Sequence, residues 1–185
     1  TDFDHVREYY GDDFFATSLG LGRVPSAEIL RQRFQRIALE TDLDAQLPRC
    51  SVELWKKTGM QPELIEMTRD DNKKEHWVRL DIDVSIFDNA DTEKEGASAT
   101  YDKRFGCAPI FAHLGGGWMV NGKLRPGSSH SSCEGTDEFI LESLGYAKSM
   151  VEANVLVVAD SGFDSKERLE TLCTQSRTGF IIKHN

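Results

Sequence analysis

The sequence predicts an α/β fold: a mixed sheet in the order β-β-β-α-β-α-β, preceded by a small helical region. Three observations carry this prediction. Residues 77–85 alternate apolar and polar side chains. Residues 107–124 hold two apolar runs split by Gly115-Gly116-Gly117. From residue 136 onward, helix-spaced and strand-like segments take turns to the end of the chain. Alternation has the period of a strand, whereas apolar residues three and four apart mark a helix face.

Residues 1 to about 70 read as helical. Val24-Pro25-Ser26 introduces Ala27 to Ala38, with Ser26 as N-cap and Ile29, Leu30, Phe34, Ile37 and Ala38 on one stripe. Arg31, Arg33 and Arg36 lie off that stripe. A solvated helix face is the plain reading of them, and DNA contact is the functional one. A weaker helix is expected over 51–57. The polar run Asp70 to Glu75 marks a domain boundary, giving a region 1–72 and a core 73–185.

In the core, Trp77 to Ser85 is the first strand, followed by a polar, Gly-containing stretch over 88–104. Cys107 to His113 and Trp118 to Leu124 form a hairpin. Thr136 is expected to cap a helix carrying Phe139, Ile140, Leu144, Ala147 and Val151. Asn154 to Asp160 is a strand, about 166–175 a helix, and 179–183 the last strand. Three strands in series followed by alternating helix and strand is the order of the ribonuclease-H-like fold. There the first and fourth strands are central neighbours, so Asp81 or Asp83 would meet Asp160.

Those aspartates are the chemical signal. In the first strand Val78, Leu80, Ile82 and Val84 share one face, and Asp81 and Asp83 share the other. Carboxylates on a buried sheet are costly unless they are paired or hold a cation. A second apolar run, Val155 to Ala159, ends in Asp160-Ser161-Gly162. Two such sites point to divalent-metal chemistry on phosphate. The plain alternatives are a solvated sheet edge for Asp81 and a turn start for Asp160.

The 185-residue chain is 39% apolar and carries a net charge of -9, which excludes generic affinity for polyanions. Any nucleic-acid role therefore needs a local basic face. The four cysteines form no CxxC pair, so zinc ligation is not expected and a reduced cytoplasmic setting is. No apolar run approaches the roughly 20 residues that span a bilayer, and no signal peptide is visible. Both ends read as cuts in a longer protein.

Several segments in order resemble the DDE transposases of bacterial insertion sequences. They are Leu19 to Ser26, Leu80 to Ser85, Asp91-Thr92-Glu93-Lys94-Glu95-Gly96, Gly106 to Ile110, Leu124-Arg125-Pro126-Gly127-Ser128-Ser129-His130, and Ala159 to Phe163. The resemblance implies metal-dependent DNA cleavage and strand transfer at terminal inverted repeats, by dimers or larger assemblies. It implies Asp, Asp and Glu holding two ions, Mg2+ with Mn2+ as a substitute. Asp83, followed two residues later by Ser85, matches the first aspartate, with Asp81 in reserve, and Asp160 matches the second. The Glu would lie in a helix after the last strand, beyond Asn185, so little activity is expected from this chain alone. Lys94 and His130 become candidates for DNA contact. A surface pair with Glu95 is the plain reading of Lys94, and an uninvolved loop histidine that of His130.

Two rival functions remain. Asp81-Ile82-Asp83-Val84 and Asp160 to Asp164 also resemble the nucleophile and magnesium motifs of haloacid-dehalogenase-type phosphatases. There Asp81 would be the nucleophile and Asp83 the acid/base. A Gly-rich hairpin in place of a parallel crossover, and the lack of a clear Lys motif, count against it. The other rival is a non-catalytic DNA-binding or assembly module, supported only by Arg31, Arg33 and Arg36.

Overall fold

The structure, a computed structural model, describes residues 3–91 and 94–184. It divides into two compact units at Leu43/Asp44.

The first unit holds a 3-10 helix (Phe3–Tyr9), α1 (Asp13–Ser18) and α2 (Ala27–Glu40). Asp12 and Ser26 cap α1 and α2. Their side chains accept from Phe15 N at 2.8 Å and Ile29 N at 3.2 Å, satisfying amides that the first turn leaves open. Phe3 and Phe34 place their rings 5.8 Å apart. No residue of α2 is buried.

Helix α3 (Leu43–Lys57), all but its first residue in the second unit, starts well before the expected residue 51. Pro48 lies inside it. A proline removes an amide donor and reads as a stop, which hid the first half of the helix. β1 (Leu64–Thr68) was not expected. It pairs antiparallel with the start of β2 (Lys74–Val84), and the polar run read as a domain boundary is the turn between them.

The main sheet runs β7-β6-β2-β8-β9, with β1 also on β2. β6 (Ile110–Leu114) and β7 (Trp118–Lys123) form the expected hairpin, antiparallel to β2. β8 (Asn154–Ala159) lies parallel to β2 on its other side, and β9 (Thr178–Ile182) lies parallel to β8. Helix α4 (Thr136–Met150) connects β7 to β8, and α5 (Lys166–Cys173) connects β8 to β9. Three antiparallel strands followed by two parallel ones, with the first and fourth at the centre, is the ribonuclease-H-like arrangement.

The core lies on one face of this sheet. Val78, Leu80 and Ile82 of β2 and Val155 and Val157 of β8 meet Phe139, Ile140 and Leu144 of α4. Each such side chain contributes about 1.5–3 kcal/mol by leaving water. The other face carries Arg79, Asp81 and Asp83, with Phe111 and His113 of β6 opposite the two aspartates. Helix α4 starts differently from the expectation. Gly135, at φ 81°, is the N-cap, and Thr136 is the first helical residue and buried.

The stretch read as a polar loop folds its ends into a second sheet. β3 (Phe87–Asp88), β5 (Phe105–Cys107) and β4 (Ser98–Ala99) pair in that order. Gly106 is required there, because a Cβ would stand 2.0 Å from the Phe87 carbonyl oxygen. The segment after β7 docks on this sheet. Gly127 N donates to Gly96 O at 3.3 Å, and Ser128 N donates to Ser98 Oγ at 2.9 Å.

Candidate functional site

Carboxylates follow the last paired residues of the two central parallel strands. Ile82 pairs with Ala159 at the last register position of β2 and β8, and Asp83 and Asp160 follow immediately on each strand. Registered residues of neighbouring strands point to the same face, so alternation puts both carboxylates on the face away from the core. Both residues are exposed. Asp83 Oδ1 accepts from Val84 N at 2.8 Å, and Asp160 Oδ1 accepts from Gly162 N at 3.0 Å. Each carboxylate keeps its other oxygen clear of these contacts.

Asp81 stands two residues back on the same face and is engaged differently. Arg79 Nε donates to its Oδ2 at 2.8 Å, with both side chains partly exposed. An exposed pair of this kind adds little stability, yet it competes with a cation for that oxygen. Among the described residues no group of three or more His, Cys, Asp or Glu is arranged to hold a metal. Asp83 and Asp160 present carboxylate oxygens at adjacent strand positions, the donor type that a hard divalent cation takes.

A loop rich in hydroxyls lies against the Asp160 turn. Ser132 Oγ donates to Gly162 O at 2.7 Å, and a Cβ on Gly162 would stand 2.6 Å from Ser131 Oγ. His130 belongs to this loop and is exposed. Its Nδ1 accepts from Ser132 N at 3.2 Å. Arg125, which is buried, reaches this loop at His130 O and Cys133 Sγ, and burial pushes its pKa below the usual arginine range. The turn after Asp160 is fastened by Arg168, also buried. Its Nε donates to Asp137 Oδ1 at 2.5 Å and its Nη1 to Phe163 O at 2.7 Å. Asp164 does not enter the carboxylate pair. Its Oδ2 lies 2.8 Å from His184 Nδ1.

Sequence reading missed Arg125 and Arg168 as parts of this region. Arg125 sits in the Leu124 to His130 segment singled out above, and its Pro-Gly neighbour was the one local sign of a docked loop. Arg168 gave no sign, since its periodicity is that of an ordinary helix residue.

The other candidates belong to other segments of the chain. Lys94 is exposed beside Gly96, and Thr92 and Glu93 fall outside the described residues. On α2, Arg31 Nη2 pairs with Glu28 Oε1 at 2.6 Å and Arg36 Nε with Glu40 Oε1 at 3.8 Å. Arg33 is exposed on the same helix. The bond to Glu28 raises the pKa of Arg31 and lowers that of Glu28.

No protein-family model matches this chain, and no curated protein does. Among solved structures, a piggyBac transposase in a synaptic complex with hairpin DNA is similar at 16% identity and a TM-score of 0.39. The match covers 56% of this chain and 22% of that one. At that level the likeness adds nothing to what the strand order says.

Proposed function

We propose that this chain carries the catalytic-core aspartates of a DDE-type DNA transposase, of the kind encoded by bacterial insertion sequences. The observation that supports it is the pair Asp83 and Asp160 at adjoining ends of the central parallel strands, in ribonuclease-H-like order. Asp83 and Asp160 would hold Mg2+, or Mn2+ as its substitute, and Asp81, tied to Arg79, stands behind them. Bound there, such ions polarise a phosphate and stabilise the leaving oxygen of an in-line displacement.

The chain's own residues do the rest. Two exposed carboxylates on a chain of net charge -9 repel a DNA phosphate, so close approach of the scissile strand depends on a cation being present. His130, in the loop against the Asp160 turn, and Lys94 would make contacts to the DNA backbone. Arg31, Arg33 and Arg36 are the basic residues of α2, in the first unit, that would touch DNA. The partners in this reading are the element's terminal inverted repeats and further copies of the protein. The setting is the bacterial cytoplasm, at the nucleoid. The phosphatase alternative expects parallel strands on both sides of β2, and β6 is antiparallel.

Crystals soaked in Mn2+ and read by anomalous scattering test this. Mn2+ is expected between Asp83 and Asp160, and lost in Asp83→Asn and in Asp160→Asn. Mn2+ on Asp81, the Asp83 carbonyl and Asp160 would instead give the site to phosphatase chemistry.

A further inference from the structure

Arg125 follows β7 in the Leu124 to His130 segment, and the residue is 7% exposed. Its Nε donates to Ala108 O at 3.1 Å. Its Nη1 faces His130 O at 3.4 Å, Cys133 Sγ at 3.1 Å and Thr136 Oγ1 at 3.4 Å. Its Nη2 is buried with no hydrogen-bond partner. Stability alone is a poor reason for this choice. Burying a charged fork with one donor unsatisfied costs free energy, and an apolar side chain would fill the space without that cost. A guanidinium can instead bridge several fixed acceptors in one plane.

The two ends of the bridge lead to the two aspartates. Ala108 precedes Pro109, whose carbonyl accepts from Ser85 N at 3.0 Å, just past Asp83. On the other side, the loop held at His130 and Cys133 continues through Ser131 and Ser132 onto Gly162. The amide of Gly162 in turn holds Asp160 Oδ1.

We propose that Arg125 is a positioning residue: it fixes the Ser131–Ser132 loop on the Asp160–Gly162 turn and thereby aims the Asp160 carboxylate for cation binding. The inference rests on the reading that Asp83 and Asp160 hold a divalent ion. Removing a group that orients a ligand lowers metal affinity by roughly 10- to 100-fold without removing any ligand.

The test compares the intact chain with Arg125→Lys, which keeps the charge but loses the fork, and with Ser132→Ala, which cuts the far end of the bridge. Mn2+ affinity and amide exchange are measured on each. Arg125→Lys is expected to weaken Mn2+ binding roughly 10-fold. It should also speed exchange at 128–136 and 160–164, leaving β8 protected as before. Ser132→Ala is expected to show the same pattern confined to 160–164. A folded Arg125→Lys protein with unchanged exchange at 160–164 overturns the proposal. So does unchanged Mn2+ affinity in a variant whose turn exchanges faster. If Arg125→Lys fails to fold, Ser132→Ala decides by the same two criteria. If the unaltered chain binds no Mn2+, the two-aspartate reading fails on its own. Exchange at 160–164 then still decides whether Arg125 holds the turn.

Discussion

Helices α2 and α4 carry the same kind of apolar stripe and come to opposite ends. In α4, Phe139, Ile140, Leu144 and Ala147 are all buried at 3% exposure or less. In α2, Ile29, Phe34 and Ile37 stay 38%, 45% and 38% exposed, and no residue of the helix is buried. Periodicity sets which residues share a face, but the surface facing that stripe sets whether it leaves water. α4 lies on β2 and β8, whose apolar side chains fill a plane. In its own unit α2 has the short 3-10 helix and the Phe3 ring as neighbours. The two helices should therefore answer mutation very differently.

Leu144→Ala should have the largest effect, costing about 2–5 kcal/mol as a cavity opens between α4 and the sheet. Phe34→Ala on α2 should cost well under half as much, because its ring is already half in water. Chemical denaturation of both variants checks the contrast, and equal losses would remove it. Arg168→Met is next, at about 1.5–3 kcal/mol, because it removes buried bonds to a carboxylate and a carbonyl. Its effect should appear in amide exchange of α5 and the Asp160 turn.

Ser26→Ala should cost about 1 kcal/mol by uncapping α2. The loss should speed exchange in the first turn of α2 and leave α4 untouched. A uniform change across both units would break the picture of separate compact units.

The smallest effect concerns the second sheet. Arg104, Thr100 and the Arg104 amide bond the Asp102 carboxylate and hold its pKa down to about 2. A depressed carboxylate adds stability above its unfolded pKa, and that stability is lost as pH falls through the folded value. The contribution should fade between about pH 4 and pH 2. Asp102→Asn should flatten that part of the stability profile, measured as melting temperature against pH. Identical profiles would show that the contact does not act on folding.

Much of the sheet was legible because its signals are local. The alternation in β2, the glycines between β6 and β7, and the stripe of α4 each specify an element from its own residues. β1 was not legible. Its five residues, Leu64-Ile65-Glu66-Met67-Thr68, lack clean alternation, and it exists through pairing with β2. The first half of α3 was hidden by Pro48, and the cap of α4 passed from Thr136 to Gly135 because a left-handed backbone suits glycine. The aspartates were legible as residue types in strand patterns. The fork of Arg125 and the hold of Arg168 were not, because their partners lie 5 to 36 residues away along the chain.

By itself, then, the sequence determined the strands of the core, their faces and the presence of carboxylates at two strand ends. Side-chain alternation and helical spacing follow from backbone geometry within a few residues. The strand order already predicted β2 and β8 as neighbours; only the tertiary structure decided their register, in which Asp83 and Asp160 follow the Ile82–Ala159 pair. It also decided that Asp81 turns to Arg79 and that the buried Arg125 guanidinium reaches Ala108, His130 and Cys133. Those choices depend on contacts between distant segments, which form only when one set of side chains closes over another.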